Sequence, residues 1–157
     1  MGKPFFMQKS KNHPENLALK EKLRALKSAD IDTIAHAIAA EETQKTDCTT
    51  CGKCCQTLQP PFTQKDIKRI ETEHTSIIEL LVLDPSNQQY YLKQSPCHFF
   101  HDNKCNIYNE RPQACEDYPH LHQPHFKYRI NTTMDNYAVC PIVYYTIERL
   151  KVALGVC

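Results

Sequence analysis

The run Cys48-Thr49-Thr50-Cys51-Gly52-Lys53-Cys54-Cys55 puts four thiols within eight residues. A core uses cysteine singly, as a small hydrophobe, so four together point to disulfides, redox chemistry or a metal. The C-x-x-C spacing lets one tight turn offer two thiolates to a single ion, and Gly52 gives the backbone room to curl. The extended C-x-x-C-x-x-C can offer three. Cys55, directly beside Cys54, points elsewhere and suits a second ion or a bridging role. The run is therefore expected to be a loop that nucleates a metal site, and the rest of the chain to be built to bring further ligands to it.

Those ligands lie downstream. Cys97, Cys105, Cys115 and Cys140 follow at irregular spacings, and Cys157 closes the chain. With Cys157 set aside as a terminal thiol, eight candidates remain, enough for two four-thiolate sites or for one such site beside a mixed or open one. Tetrahedral sulfur sites suit zinc or iron–sulfur chemistry and disfavour magnesium or calcium. Cys-x-x-Cys-x-x-Cys is similar to the first three ligands of bacterial ferredoxins, and Cys140-Pro141 offers the distal Cys-Pro that such motifs employ. The local spacing of that fourth ligand is missing, however, and zinc accommodates any of these spacings. Five histidines sit in the second half: His98, His101, His120, His122 and His125. Each can serve as an extra ligand or an outer partner, and each reads equally as a surface histidine. Arg111 can offset the charge of a thiolate site or pair with Glu110 or Glu116 on the surface.

Composition limits the alternatives. The 157 residues suit one domain with an added helical arm, and the net charge of +1 carries no broad nucleic-acid footprint. Basic stretches such as residues 65–69 read as solvated helix faces. The start of the chain has Lys3, Phe5 and Phe6 but no apolar h-region, and the longest apolar stretch, residues 77–83, is too short to span a bilayer. A cytoplasmic location is expected. In that reducing compartment an odd total of nine cysteines reads as metal or redox ligands rather than as a disulfide scaffold.

Hydrophobic spacing gives the remaining outline. Residues 1–14 read as a disordered tail and residues 15–45 as a helical arm. Leu17, Leu19, Leu23 and Leu26 form the stripe of a first helix, and Ile31, Ile34, Ala35 and Ile38 that of a second over residues 31–44. His36 falls on the rim of that face. Residues 46–157 form the cysteine-cluster metal-binding domain. In it Thr63 caps a helix, and Asp66 three residues on completes a capping box. A short helix is expected over residues 76–83, a turn at Asp84-Pro85-Ser86-Asn87, a strand over residues 89–93 and another over residues 126–130. Arg111-Pro112 opens a turn carrying Cys115. Pro141 opens a final helix through about residue 154, with Ile142, Tyr145, Ile147 and Leu150 buried. The fold class is mostly α: a small, irregular, metal-stapled domain with long loops and at most short strands, flanked by the N-terminal arm and the C-terminal helix.

Several blocks together resemble one family. Cys48-x-x-Cys51-Gly52-x-Cys54-Cys55, Pro96-Cys97-x-Phe99, Cys105-x-Ile107-Tyr108-x-x-Arg111-Pro112-x-x-Cys115-x-x-Tyr118-Pro119 and Cys140-Pro141 are similar to the YkgJ, or CxxCxxCC, family of bacterial cysteine-cluster proteins, described as zinc- or iron-chelating. The resemblance covers residues from about 46 to 145, and Asp66 also matches the family pattern. His98 departs from it, since a proline often follows that cysteine. The resemblance implies chelation of zinc or iron, the latter also as an iron–sulfur cluster, in one or two sites. One branch resembles the cysteine-cluster part of flagellin lysine N-methylases, which are much longer chains. Functions from different classes follow. The first is a non-enzymatic metal-binding protein. The alternative is an iron–sulfur or metal-dependent enzyme, with Arg111, Tyr108 and a histidine near an open site. A third is an interaction module whose metal staples a binding surface. The three glycines leave no phosphate-cradling motif, and no catalytic residue or protein partner can be named.

Overall fold

The computed structural model describes residues 11–74 and 76–156. Cys157 and residues 1–10 of the expected 1–14 tail lie outside them; of that tail's described residues, Pro14 already begins the first helix. The chain is mostly helical with short strands, and its contacts divide it into two compact units that do not follow chain order. One comprises residues up to Asp47 together with Pro119 onward; the other runs from Cys48 to Tyr118.

Among its described residues the first unit has four helices: α1 (Pro14–Ala25), α2 (Ser28–Gln44), α7 (Phe126–Asp135) and α8 (Pro141–Ala153). Both α1 and α8 start on a proline, whose missing N–H costs nothing in a first turn. α2 packs on α7 and α8, burying Ile31, Ala35, Ile38 and Ala39 against Ile142, Val143, Ile147 and Leu150. Leu17 faces out, and Leu19 and Leu23 alone carry the α1 stripe into the core. On α8 it is Tyr144 that is buried, while Tyr145 is exposed. A charged cluster is sealed into this unit. Lys151 is fully buried, with its Nζ 2.5 Å from Glu148 and 3.4 Å from Glu15, and the Tyr137 hydroxyl donates to the same Glu148. Buried charge survives only when paired in this way.

The expected strand over residues 126–130 is instead the start of α7. Phe126, Tyr128 and Ile130 alternate as a strand would, but Phe126, Ile130, Thr133 and Met134 are buried together at helical spacing. The helix start is supplied from far away in sequence. The Asp32 carboxylate accepts from the backbone N–H of His125 at 2.7 Å and of Phe126 at 2.8 Å. Burial would raise the Asp32 pKa, but these two donors outweigh it and hold the carboxyl below its usual range. Asp32→Ala should therefore cost about 1 kcal/mol at neutral pH, as lost helix caps do. A lowered folded-state pKa stabilises above the unfolded value and loses that contribution as pH falls. The gap between wild type and variant in urea denaturation should thus narrow as pH drops below the ordinary 3.8.

The second unit holds α3 (Cys48–Cys51), α4 (Lys53–Thr57), α5 (Gln64–Glu73), α6 (Gln113–Asp117) and two hairpins. β1 (Leu81–Asp84) pairs antiparallel with β2 (Gln89–Leu92), and β3 (Phe100–His101) with β4 (Lys104–Cys105). The expected helix over residues 76–83 is a single 3₁₀ turn, Ile78–Leu80, running into β1. The cross-strand pairs Leu81↔Leu92 and Leu83↔Tyr90 decide it, and the turn after Asp84 lets the chain fold back. Phe62, Ile67, Ile70, Ile77, Leu81, Leu92, Phe99 and Ile107 form the core, with Cys97 and Cys105 packed on its edge.

Candidate metal centre

The cysteine run is not a loop but two helical turns broken at Gly52. α3 carries Cys48 and Cys51, and α4 carries Cys54 and Cys55. Between them Gly52 takes φ +60, a left-handed conformation that costs other residues dearly. It is also where the Phe100 ring closes on the backbone: a Cβ at Gly52 would lie 2.3 Å from Phe100 Cζ. The aromatic ring thus seats the β3–β4 hairpin, with Cys105, against the cysteine turn.

Backbone bonds complete the assembly. The Cys97 N–H donates to the Cys55 carbonyl at 2.9 Å, tying the second cysteine segment to the first. Phe100 N–H then donates back to the Cys97 carbonyl at 3.0 Å, so Cys97 and the hairpin form one turn. Asp102 and Asn103, both at positive φ, make the two-residue hairpin turn that puts Phe100 opposite Cys105. Cys115 arrives on α6, the short helix after Pro112.

All eight described cysteines carry free thiols. Five of them, from four separate segments, lie close enough to feel one another's charge. The Cys54 thiol is brought down to about 7, chiefly because Cys55 donates its S–H to it, against the effect of burial. The same bond, with burial and the charges of Cys54, Cys105 and Cys97, pushes Cys55 far up. Burial, then repulsion from Cys54, Cys97 and Cys105, raises Cys115 to about 12. Cys97 and Cys105 are raised first by burial. One thiol that ionises readily, beside four half-buried ones that resist it, makes a set of good ligands once a cation supplies the missing charge. Arg111 supplies part of it: its guanidinium favours the thiolates of Cys105 and Cys115 while stacking 4.0 Å over the Tyr108 ring. Glu116 and Glu110 instead approach Arg69 at 3.7 Å and His74 at 3.6 Å.

The remaining candidates are placed as follows. Cys48 is exposed and Cys51 half-buried on α3, which lies against β4. Cys140 is buried at the start of α8 in the helical unit, and His120, His122 and His125 belong to that unit as well. His98 is half-buried just before the β3–β4 hairpin, with Nδ1 3.3 Å from the Gln94 amide nitrogen, and His101 lies exposed on that hairpin, ring centres 6.2 Å apart. His36 contacts the Gln123 carbonyl at 2.9 Å, the rim role expected of it. Among the described residues no three His, Cys, Asp or Glu side chains already stand as a set able to hold an ion. The donor chemistry nonetheless suits zinc or iron, since the convergent groups are half-buried thiols with the Arg111 guanidinium nearby. The Phe100–Gly52 closure and the Arg111–Tyr108 stack escaped sequence reading. A lone glycine in the run was the one local signal for the first.

A mostly helical chain with one cluster of reduced thiols at its irregular half defines a metal-binding cysteine-cluster protein. The chain belongs to the CxxCxxCC family, whose model, described as "Putative zinc- or iron-chelating domain", matches residues 47–141. All eight candidate cysteines fall inside that span. No curated protein and no solved structure matches the chain. No helix among the described residues is long and apolar enough to cross a membrane.

Proposed function

We propose that this protein chelates zinc or iron through Cys48, Cys51, Cys54, Cys55, Cys97, Cys105, Cys115 and Cys140, in one or two sites, and that the metal staples the Cys48–Tyr118 unit together. The observation that carries the reading is the convergence of Cys54, Cys55, Cys97, Cys105 and Cys115, from four segments, into one neighbourhood where burial and the charge of neighbouring thiols, Cys54 above all, oppose ionisation of the other four. Such repulsion opposes folding unless protons or a cation neutralise it. A structural zinc contributes about 10–16 kcal/mol of apparent binding energy, comparable to the ~5–15 kcal/mol stability of a whole domain. The metal centre belongs with Arg111, whose charge offsets the excess of thiolate over metal. Cys140 enters the set as the eighth thiol and as the distal Cys-Pro of the sequence pattern.

Protein purified without oxygen, analysed for metal content, tests the reading. One or two zinc or iron per chain is expected, brown if an iron–sulfur cluster is held and colourless with zinc. Cys51→Ser should abolish or halve that content. Full metal and full stability in that variant would remove Cys51 from the ligand set.

A further inference from the structure

The turn carrying Cys115 is held from α5, not from its own neighbours. Asp66 is almost fully buried, and its two carboxylate oxygens serve different elements. Oδ2 accepts from the Thr63 N–H at 2.9 Å and the Thr63 hydroxyl at 2.6 Å, which is the capping box of α5. Oδ1 accepts from the backbone N–H of Gln113 at 3.0 Å, the first residue of α6, and from Arg69 at 3.2 Å. Arg69 in turn donates to the Arg111 carbonyl and lies 3.7 Å from Glu116. So α5 grips Arg111, Gln113 and Glu116, and Cys115 sits within that grip. A cap needs one oxygen; a buried carboxylate with four donors on two helices is doing more than capping.

We infer that Asp66 is a positioning residue of the metal centre, which fixes the first turn of α6 so that the Cys115 sulfur faces the other thiols. This rests on the chelation reading above. Buried carboxylates that orient ligand-bearing segments act on metal affinity through geometry without touching the ion, commonly by about 10–100-fold. Oδ2 alone would suffice to start α5, so the two duties can be separated by experiment.

Gln113→Pro isolates the second duty. Proline is tolerated at the first helical position, and Pro112 already has the extended ψ of 149° that a following proline demands. The substitution removes the N–H that Asp66 holds and leaves the capping box intact; Gln113→Ala controls for loss of the side chain. Zinc affinity is measured by chelator competition, and cobalt substitution reports the ligand set through its sulfur charge-transfer band. Gln113→Pro and Asp66→Asn are expected to bind at least about tenfold more weakly than wild type, with less charge-transfer intensity per bound cobalt. Gln113→Ala and Thr63→Ala should bind as wild type does. In a Cys115→Ser background, Gln113→Pro should weaken binding no further. Wild-type affinity and an unchanged cobalt band in Gln113→Pro would overturn the inference, whether or not Asp66→Asn folds. So would an equal loss in Thr63→Ala. A wild-type protein that binds neither zinc, cobalt nor iron, and holds no iron–sulfur cluster when purified without oxygen, would instead remove the chelation reading, and this inference with it.

Discussion

Stripping the metal with a strong chelator should unfold the Cys48–Tyr118 unit and leave the four-helix unit folded. The two units have unequal means of standing alone. The helical unit buries long stripes from α1, α2, α7 and α8 and seals a paired Lys151 within them. The other relies on eight buried apolar residues, four short helices and two two-stranded hairpins. Isolated two-stranded hairpins are marginal in water. Single helical turns such as α3, α4 and α6 are too short to persist unaided. Removing a contribution of about 10–16 kcal/mol should therefore exceed what remains there. Far-UV circular dichroism should keep most of its helical signal, while amide resonances of residues 48–118 collapse to unfolded shifts and those of α2 and α8 persist. Dispersed signals throughout in the chelated protein would show that the metal is not a staple.

Gly52→Ala is expected to cost the metal-loaded protein about 2–5 kcal/mol in urea denaturation, the sum of two separable effects. A left-handed backbone costs an L-residue about 1–2 kcal/mol. The new Cβ also meets the Phe100 ring at 2.3 Å, and overpacking of this kind costs about 1–3 kcal/mol. The ring cannot retreat freely, because Phe100 is paired with Cys105 across the hairpin. Pushing it away moves Cys105 off the cysteine turn, so metal affinity should fall with stability. Adding Phe100→Ala to Gly52→Ala should recover only the steric part, relative to Phe100→Ala alone. Full additivity of the two substitutions would show that the ring does not close on Gly52.

Local signals were legible because their physics is local. The Thr63–Asp66 box, the turn at Asp84-Pro85, the strand expected over residues 89–93 and found over Gln89–Leu92, and the proline start of α8 each depend on a few adjacent residues. Residues 76–83 and 126–130 were misread for the opposite reason. An apolar run suits a buried helix or strand equally until a partner strand is found. An alternating run becomes a helix when a carboxylate 94 residues away caps it. Helical turns in the cysteine run were hidden too, since four-residue turns have no periodicity to read.

The amino-acid sequence by itself determined the donors of this protein and its kinship: clustered thiols at ligand spacing and membership in a family described as zinc- or iron-chelating, because donor type and spacing are properties of the chain. Tertiary structure decided which thiols meet. Cys54, Cys55, Cys97, Cys105 and Cys115 share one neighbourhood through the Cys97–Cys55 backbone bond, the Phe100–Gly52 closure and the Asp66–Gln113 bond. Each links segments dozens of residues apart, and no spacing rule encodes an interaction whose energy depends on where the rest of the chain has folded.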